Sequence, residues 1–284
     1  MRFLVTGVKG QLGYDIVREL KKRGYTDILE FDKDDMDLTK EEEVYNKINE
    51  AKPDVVFHCA AYTAVDNAED NESVCRKVNV DGTRYLSDAT KRIGASLVYI
   101  STDYVFDGEK PLGETYDVDD LVNPTSVYGK TKYEGELEAR KNPKHFIVRT
   151  SWVFGINGNN FIKTMLKLSE TRQEINVVSD QFGSPTYTVD LARLLVDLVE
   201  TEKYGTYHAN NEGYTSWDEF AKEIFKVFNR KMKVNSISTE EYPTRARRPK
   251  NSCLSKESLD RNGFKRLPDW KDAIVRYKKE MEEI

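Results

Sequence analysis

Residues 2–13 read Arg2-Phe3-Leu4-Val5-Thr6-Gly7-Val8-Lys9-Gly10-Gln11-Leu12-Gly13. An apolar run of strand length stops at a glycine, and a helical pattern begins at once, with Leu12, Ile16, Val17 and Leu20 on one face. Gly24 follows as a helix stop. The loop has the spacing G-x-x-G-x-x-G. One glycine allows the tight turn, another lets a pyrophosphate approach the backbone, and a third lets the helix pack closely. The free amides of the helix start then face the phosphates. Glycine spacing alone carries little weight; its position between an N-terminal strand and an amphipathic helix makes it a dinucleotide-binding signal.

Outward from that loop, strands and helices alternate. Asp27-Ile28-Leu29-Glu30-Phe31 predicts a second strand, and Thr39 with Glu42 predicts a capped helix start. Val55 to Cys59 predicts a third strand, residues 74–93 a long helix, Ser96 to Ile100 a fourth strand, residues 126–139 a helix and His145 to Arg149 a fifth strand. Repeated strand–helix–strand units imply a parallel sheet covered on both faces, and right-handed crossovers make it doubly wound. The expected fold is α/β, a Rossmann-like doubly wound parallel sheet with a smaller C-terminal α/β substrate lobe. The later half predicts helices near 161–168, 189–199, 217–228 and 270–283, with short strands near 175–178 and 207–208. The division expected is a dinucleotide-binding domain over 1–151 with a returning segment near 174–203, and a substrate-binding lobe from 152–173 and 204–284.

Composition narrows the function. Hydrophobic residues are 38% and charged residues 33% of the chain, and the net charge of -5 is spread along it. No one-sided basic face suggests nucleic acid. The three cysteines, Cys59, Cys75 and Cys253, lack the pairing or spacing of a disulfide framework or zinc site. No signal-peptide pattern and no membrane-length apolar run is present, so a cytoplasmic location is expected.

The second strand ends at Asp32, where an acid suits the adenosine ribose hydroxyls of NAD, though Asp32 also fits a solvated loop acid. Lys33 could meet the 2′-phosphate of NADP, so NADH and NADPH both stay open. Asp37 and Leu38 are candidates for the adenine end. Tyr128 and Lys132 stand four apart on a predicted helix and share a face. An ammonium near a phenol favours phenolate, and a tyrosine so tuned can give a proton to a carbonyl oxygen that receives hydride. Thr102 ends the fourth strand, at the carboxyl edge where open parallel sheets bind ligands, and could hold that oxygen. Ala60, Ala61 and Tyr62 end the third strand at the same edge and could line the nicotinamide. His58 reads as a satisfied buried histidine. Asn79 could organise water or backbone near Lys132.

This set resembles the extended short-chain dehydrogenase/reductase superfamily. Longer stretches resemble its dTDP-4-dehydrorhamnose reductase family: residues 60–66, 101–108, 127–132, 149–155, 180–186 and 247–249. The resemblance covers nearly the whole chain. It implies NAD(P)H-dependent reduction of the C4 ketone of dTDP-4-dehydro-6-deoxy-L-mannose to dTDP-L-rhamnose. Thr102 would hold the ketone, Tyr128 protonate it and Lys132 tune Tyr128. Asp103 and Tyr104 would lie beside the sugar, Trp152 would stack on or wall the sugar or base, and Arg248 would bind the diphosphate. Trp152 also fits a core tryptophan, and Arg248 with Arg245 and Arg247 a solvated basic turn. Some members dimerise through a divalent metal held by surface carboxylates. A homodimer stays open here, but Asp15 and Asp190 are only remnants of such a ligand set, which makes Mg2+ a weak expectation. Two alternatives compete: another nucleotide-sugar epimerase or dehydratase, and a non-catalytic regulatory subunit of methionine adenosyltransferase. Dehydratases carry Asp-Glu after the strand-end threonine, whereas this chain has Asp103-Tyr104.

Overall fold

The computed structural model describes residues 1–283. The apolar runs form the parallel strands β1 (Phe3–Thr6), β2 (Ile28–Phe31), β3 (Val55–His58), β4 (Ser96–Thr102) and β5 (His145–Thr150). With the strand Gly205–His208 they make a six-stranded sheet in the order Gly205–His208, β5, β4, β3, β1, β2. Every adjacent pair in it is parallel. Strand order reverses between β1 and β3, which opens a crevice beyond their carboxyl ends.

Each face of the sheet is covered by helices from different parts of the chain. On one face, α1 (Gln11–Lys22) packs beside the helix Thr188–Val199, joining Ile16, Leu20, Leu191 and Leu195 to Val5, Phe57 and Val148. On the other, α2 (Glu41–Ala51) and α5 (Gly82–Ile93) bring Val44, Ile48 and Leu86 against Leu4, Val56 and Ile147. Between them in sequence lie α3 (Val65–Asp70) and α4 (Glu72–Arg76). The expected long helix over 74–93 is α4 joined to α5 through a π-helical turn, Lys77–Asp81, and such turns recur at functional sites. The next helix is α6 (Val127–Ala139), with the Ser126 hydroxyl accepting from the Gly129 amide at 3.1 Å as its cap.

A second, smaller core holds the helices Phe161–Ser169, Trp217–Val227 and Trp270–Glu282, and the parallel pair Glu174–Val178 with Lys233–Ile237. Three sequence expectations need correction. The strand Gly205–His208 extends the main sheet beside β5, and Leu259 and Leu267 join the main core, so 204–284 is not wholly a separate lobe. Within 174–203, only Thr188–Val199 returns to the sheet; Glu174–Val178 pairs in the smaller lobe. So short a strand, mixing Gly205, Thr206 and His208 with one aromatic, carries too little pattern to reveal its partner. Thr39 does not cap α2: its hydroxyl donates to Asp37 at 2.8 Å, and Lys40 holds the cap position without a side-chain bond.

One polar feature crosses the core. Glu136 on α6 is fully buried and takes two hydrogen bonds from the equally buried Arg149 of β5, both at 2.8 Å. It also accepts from the Ser101 hydroxyl of β4 at 2.6 Å. Removing one partner of such a pair leaves an uncompensated buried charge, whereas replacing both with apolar groups is far less costly. Arg149→Met is therefore expected to lower unfolding stability by about 3–5 kcal/mol. A Glu136→Met/Arg149→Met double variant should recover more than half of that loss in urea denaturation followed by circular dichroism. A double variant no more stable than Arg149→Met would mean that the unpaired Glu136 charge is not the source of the loss.

Candidate functional site

The crevice above the β1–β3 boundary is a cleft of about 930 Å3, lined by the glycine loop, the ends of β2 to β5, α6 and the smaller lobe. Gly7 sits at φ +70°, and a side chain there would lie 2.9 Å from the Ala60 amide nitrogen. One at Gly13 would strike the Gly7 carbonyl, so loop, helix and β3 close up only with glycine. Gly10 occupies the cap position of α1 and offers no side chain to its first amides. Those amides and the positive end of a twelve-residue helix therefore stand open at the cleft, and this suits a pyrophosphate. Gln11 and Leu12 line it too, while the Gln11 side chain accepts from the Gly155 amide at 2.8 Å and so ties the loop to the smaller lobe.

Asp32 follows β2 at the far end of the cleft. Its carboxylate accepts from the Lys9 amide at 3.0 Å and the Lys33 amide at 2.8 Å, which fixes its orientation. Lys33, Asp37 and Leu38 line the same end. Hydrogen bonds from the Thr39 hydroxyl and amide hold the Asp37 carboxyl below its usual range. Ala60, Ala61 and Tyr62 line the middle. Asn79 is set back from it: it accepts from the Tyr62 amide at 2.8 Å and donates to the Tyr62 carbonyl and the Thr131 hydroxyl, both at 3.2 Å. The π-helical turn thus aims Asn79 so that it fastens the β3 exit to α6. His58 is buried between Thr6 and Thr83, and burial pushes it down to about 3, so it stays neutral.

Thr102, Asp103, Tyr104, Tyr128 and Lys132 meet on the opposite wall. Gly129 lets α6 come this close to the segment after β4; a side chain there would run into the Tyr104 carbonyl. Tyr104 and Tyr128 stand edge to face with ring centroids 5.7 Å apart. The Thr102 hydroxyl donates to Asp103 at 2.9 Å and accepts from the Tyr104 amide at 3.2 Å. Burial raises the Asp103 carboxyl to about 6. Lys132 is buried, with its ammonium 4.1 Å from the Tyr99 ring centre, and burial pulls it down to about 7 while Glu136, one turn on, acts in the other direction. The Tyr128 phenol, expected to be lowered by Lys132, stands above its ordinary value on balance. Burial, then the Asp103 charge, pushes the phenol above its ordinary value, and Thr102 opposes the rise. The four-residue spacing puts both residues on α6, and the lysine head lies over the Tyr99 ring.

Trp152, beyond β5 and so at the end of the cleft opposite Asp32, forms its wall in a left-handed conformation, φ +49°, stacked on Trp217 with ring centres 3.6 Å apart. Arg248 does not line the cleft. It donates to the Tyr104 hydroxyl at 2.8 Å and pairs with Asp66, behind the wall that Tyr104 forms. The sequence reading missed Trp217, which looked like an ordinary helix start, and gave no role to Glu136 or Arg149. A detectable signal existed for the pair: an arginine at the end of an otherwise apolar buried strand needs a carboxylate.

Asp15 and Asp190 are both buried and hydrogen-bonded within the chain, Asp15 to Arg18 and Thr188, Asp190 to Arg276 and Asn211. Among the described residues no group of three or more histidine, cysteine, aspartate or glutamate side chains could hold a metal ion, and the cysteines are free. No helix there is long and apolar enough to cross a membrane.

Known proteins match this arrangement along their whole length. The family model for the RmlD substrate binding domain matches residues 1–283. A dTDP-4-dehydrorhamnose reductase of Aggregatibacter actinomycetemcomitans is 42% identical, with 96% of this chain and 97% of that protein covered. The crystal structure of a dTDP-4-dehydrorhamnose reductase from Clostridium acetobutylicum superposes with a TM-score of 0.96 at 43% identity, over 99% of this chain and 100% of that one. That of the Bacillus anthracis enzyme in complex with NADP gives 0.95 at 45% identity, over 98% and 99%. The chain belongs to the dTDP-4-dehydrorhamnose reductase family.

Proposed function

We propose that the protein reduces the C4 ketone of dTDP-4-dehydro-6-deoxy-L-mannose to dTDP-L-rhamnose with NADH or NADPH. The observation that carries this reading is the convergence, on one cleft wall facing the glycine loop, of Thr102, Tyr128 and Lys132. The relatives named above are reductases of this substrate class, and one was crystallised with NADP.

The glycine loop and the start of α1 would hold the pyrophosphate, and Asp32 or Lys33 the adenosine ribose. When bound, the reduced nicotinamide supplies the hydride. Thr102 and Tyr128 bracket the position for the ketone oxygen. As hydride reaches carbon, Tyr128 gives its proton to that oxygen. A phenol raised by burial is a weak acid, so the nascent phenolate needs a cation. Lys132 supplies it once its chain leaves the Tyr99 ring for the nicotinamide ribose and Tyr128. Asp103 and Tyr104 would lie beside the sugar, with the Trp152–Trp217 stack closing the nucleotide-sugar end. Arg248 would reach the diphosphate only by leaving Asp66. A homodimer, a cytoplasmic location and the absence of a bridging Mg2+ form part of the same reading.

The direct test follows NADH and NADPH absorbance with enzymatically generated dTDP-4-dehydro-6-deoxy-L-mannose and identifies the sugar. Formation of dTDP-L-rhamnose is expected, and the two rates set cofactor preference; folded, cofactor-binding protein that oxidises neither would overturn the proposal. Tyr128→Phe should cut turnover by roughly 10²- to 10⁴-fold with cofactor affinity kept. Unchanged turnover would remove Tyr128 from the chemistry. Lys132→Met should lower turnover yet stabilise the fold. A lysine held near 7 when folded binds fewer protons there than in the unfolded chain. Its charge therefore opposes folding most below about pH 7, and the penalty fades as pH rises toward the ordinary lysine value. The stabilisation by Lys132→Met should be largest below neutrality and shrink above it, as read from urea midpoints across pH.

A further inference from the structure

The Thr102 hydroxyl has one proton and three polar neighbours, the Tyr104 amide, the Asp103 carboxyl and the Tyr128 phenol; the phenol can donate as well as accept, so the other two decide where that proton points. The Tyr104 amide, 3.2 Å away, is a donor and takes one lone pair. Asp103 Oδ1 lies 2.9 Å away. An ionised carboxylate only accepts, so beside it the single Thr102 proton must point at Asp103. In that state Thr102 has no proton for a ketone, and a developing alkoxide at C4 would meet a lone pair instead of a donor. The other oxygen, Oδ2, is buried and makes no hydrogen bond of ordinary length, an uncomfortable place for half a negative charge that the nearby Ser252 hydroxyl eases but that burial outweighs. The titratable groups around this carboxyl are Tyr104 on its own segment, Tyr128 from α6 and Cys253 from the 251–256 segment, and none of them is a cation. The Arg248 guanidinium is taken up by Tyr104 and Asp66.

We propose that Asp103 is a positioning residue whose carboxyl proton turns the Thr102 hydroxyl away from Asp103 and toward the substrate ketone. With Asp103 neutral, its O–H donates to Thr102 Oγ1, and Thr102 is free to donate onward. The result is a two-step donor chain, Asp103 to Thr102 to the ketone oxygen, running beside the Tyr128 phenol. No proton leaves Asp103 in the reaction: Tyr128 gives the proton that ends on the alcohol, and the chain only orients hydrogen bonds that strengthen as charge builds on oxygen. This inference rests on the reduction proposed above. The burial that raises Asp103 to about 6 places the change of state just below neutrality, where solvent pH can select it.

The test compares kcat and KM across pH for wild type, Asp103→Asn and Thr102→Val. Wild-type kcat should decline with a one-proton slope as pH rises through the Asp103 midpoint, a step separate from the further loss expected as the Lys132 ammonium, drawn down to about 7, gives up its proton. The asparagine amide donates at every pH, so the kcat of Asp103→Asn should stay flat through that midpoint. Persistence of the decline would overturn the proposal. So would a rise in KM with the decline intact, which marks a substrate-binding carboxylate, or a collapse of kcat at every pH, which marks a required anion. An independent readout needs no turnover: the carboxylic-acid C=O stretch, taken as the infrared difference between wild type and Asp103→Asn, should titrate in the folded protein. Thr102→Val should move that midpoint upward by removing a donor to the anion. An unmoved midpoint sinks the Thr102–Asp103 coupling even if the wild type proves to reduce another sugar, whereas a wild type without turnover sinks the substrate assignment alone.

Discussion

The buried contact between Glu136 and Arg149 ties α6 to the β4–β5 ladder beneath the cleft, at the point where Ser101 and Arg149 stand in register. Glu136 belongs to the helix that carries Tyr128 and Lys132, Arg149 to the strand that leads to Ser151 and Trp152, and Ser101, the third partner, precedes Thr102. Hydrophobic packing alone would hold the helix on the sheet but tolerate sliding along it; two parallel hydrogen bonds to a guanidinium do not. The chain thus spends a fully desolvated charge pair at the one place where a shift of an ångström would part the hydroxyl of Thr102 from the phenol of Tyr128. A pair of this kind adds little to stability over an apolar replacement, so its use here is best understood as geometric.

Around that brace, burial works against charge. Lys132 and Asp103 are both drawn toward neutrality, from opposite directions, and Tyr128 is made a weaker acid than a free phenol. A site left in this state is held short of its working charges until something polar enters. A pyrophosphate and a ribose bring that polarity, which links cofactor occupancy to the protonation of the wall opposite. Outside the cleft, Arg245 and Arg247 pair with Asp70 and Glu109 in exposed contacts worth little, and the more buried Arg248 pairs with Asp66.

Much of this was legible in the residue order, and the remainder was hidden for identifiable reasons. The glycine loop, five of the six sheet strands and the Tyr128–Lys132 spacing follow from local pattern, because a parallel strand buried on both faces must be apolar throughout and a shared helix face must repeat every three to four residues. The sixth strand, Gly205–His208, escaped assignment to the sheet since its partner β5 lies over fifty residues earlier and its own composition is neutral. Asn79 was recognisable as a polar helix residue near the site, but its hold on Tyr62 depends on a π-helical turn that no periodicity announces. Arg248 was expected at the substrate diphosphate; its bonds to Tyr104 and Asp66 were not legible, because Asp66 comes from a distant part of the chain. Trp217 was invisible as a cleft residue because stacking on Trp152 is a tertiary accident of two separate elements.

That stack has an optical side. The chain holds only three tryptophans, and the third, Trp270, meets Phe220 edge-on inside the smaller core. Two indoles almost parallel and in van der Waals contact share their electronic transitions, and a chiral clamp such as the left-handed backbone at Trp152 gives the coupled pair a fixed handedness. The sugar end of the cleft therefore carries its own chromophore, distinct from the isolated indole in the core. A sugar or a base arriving against Trp152, as proposed, would be written directly into the near-ultraviolet dichroism of the unlabelled protein.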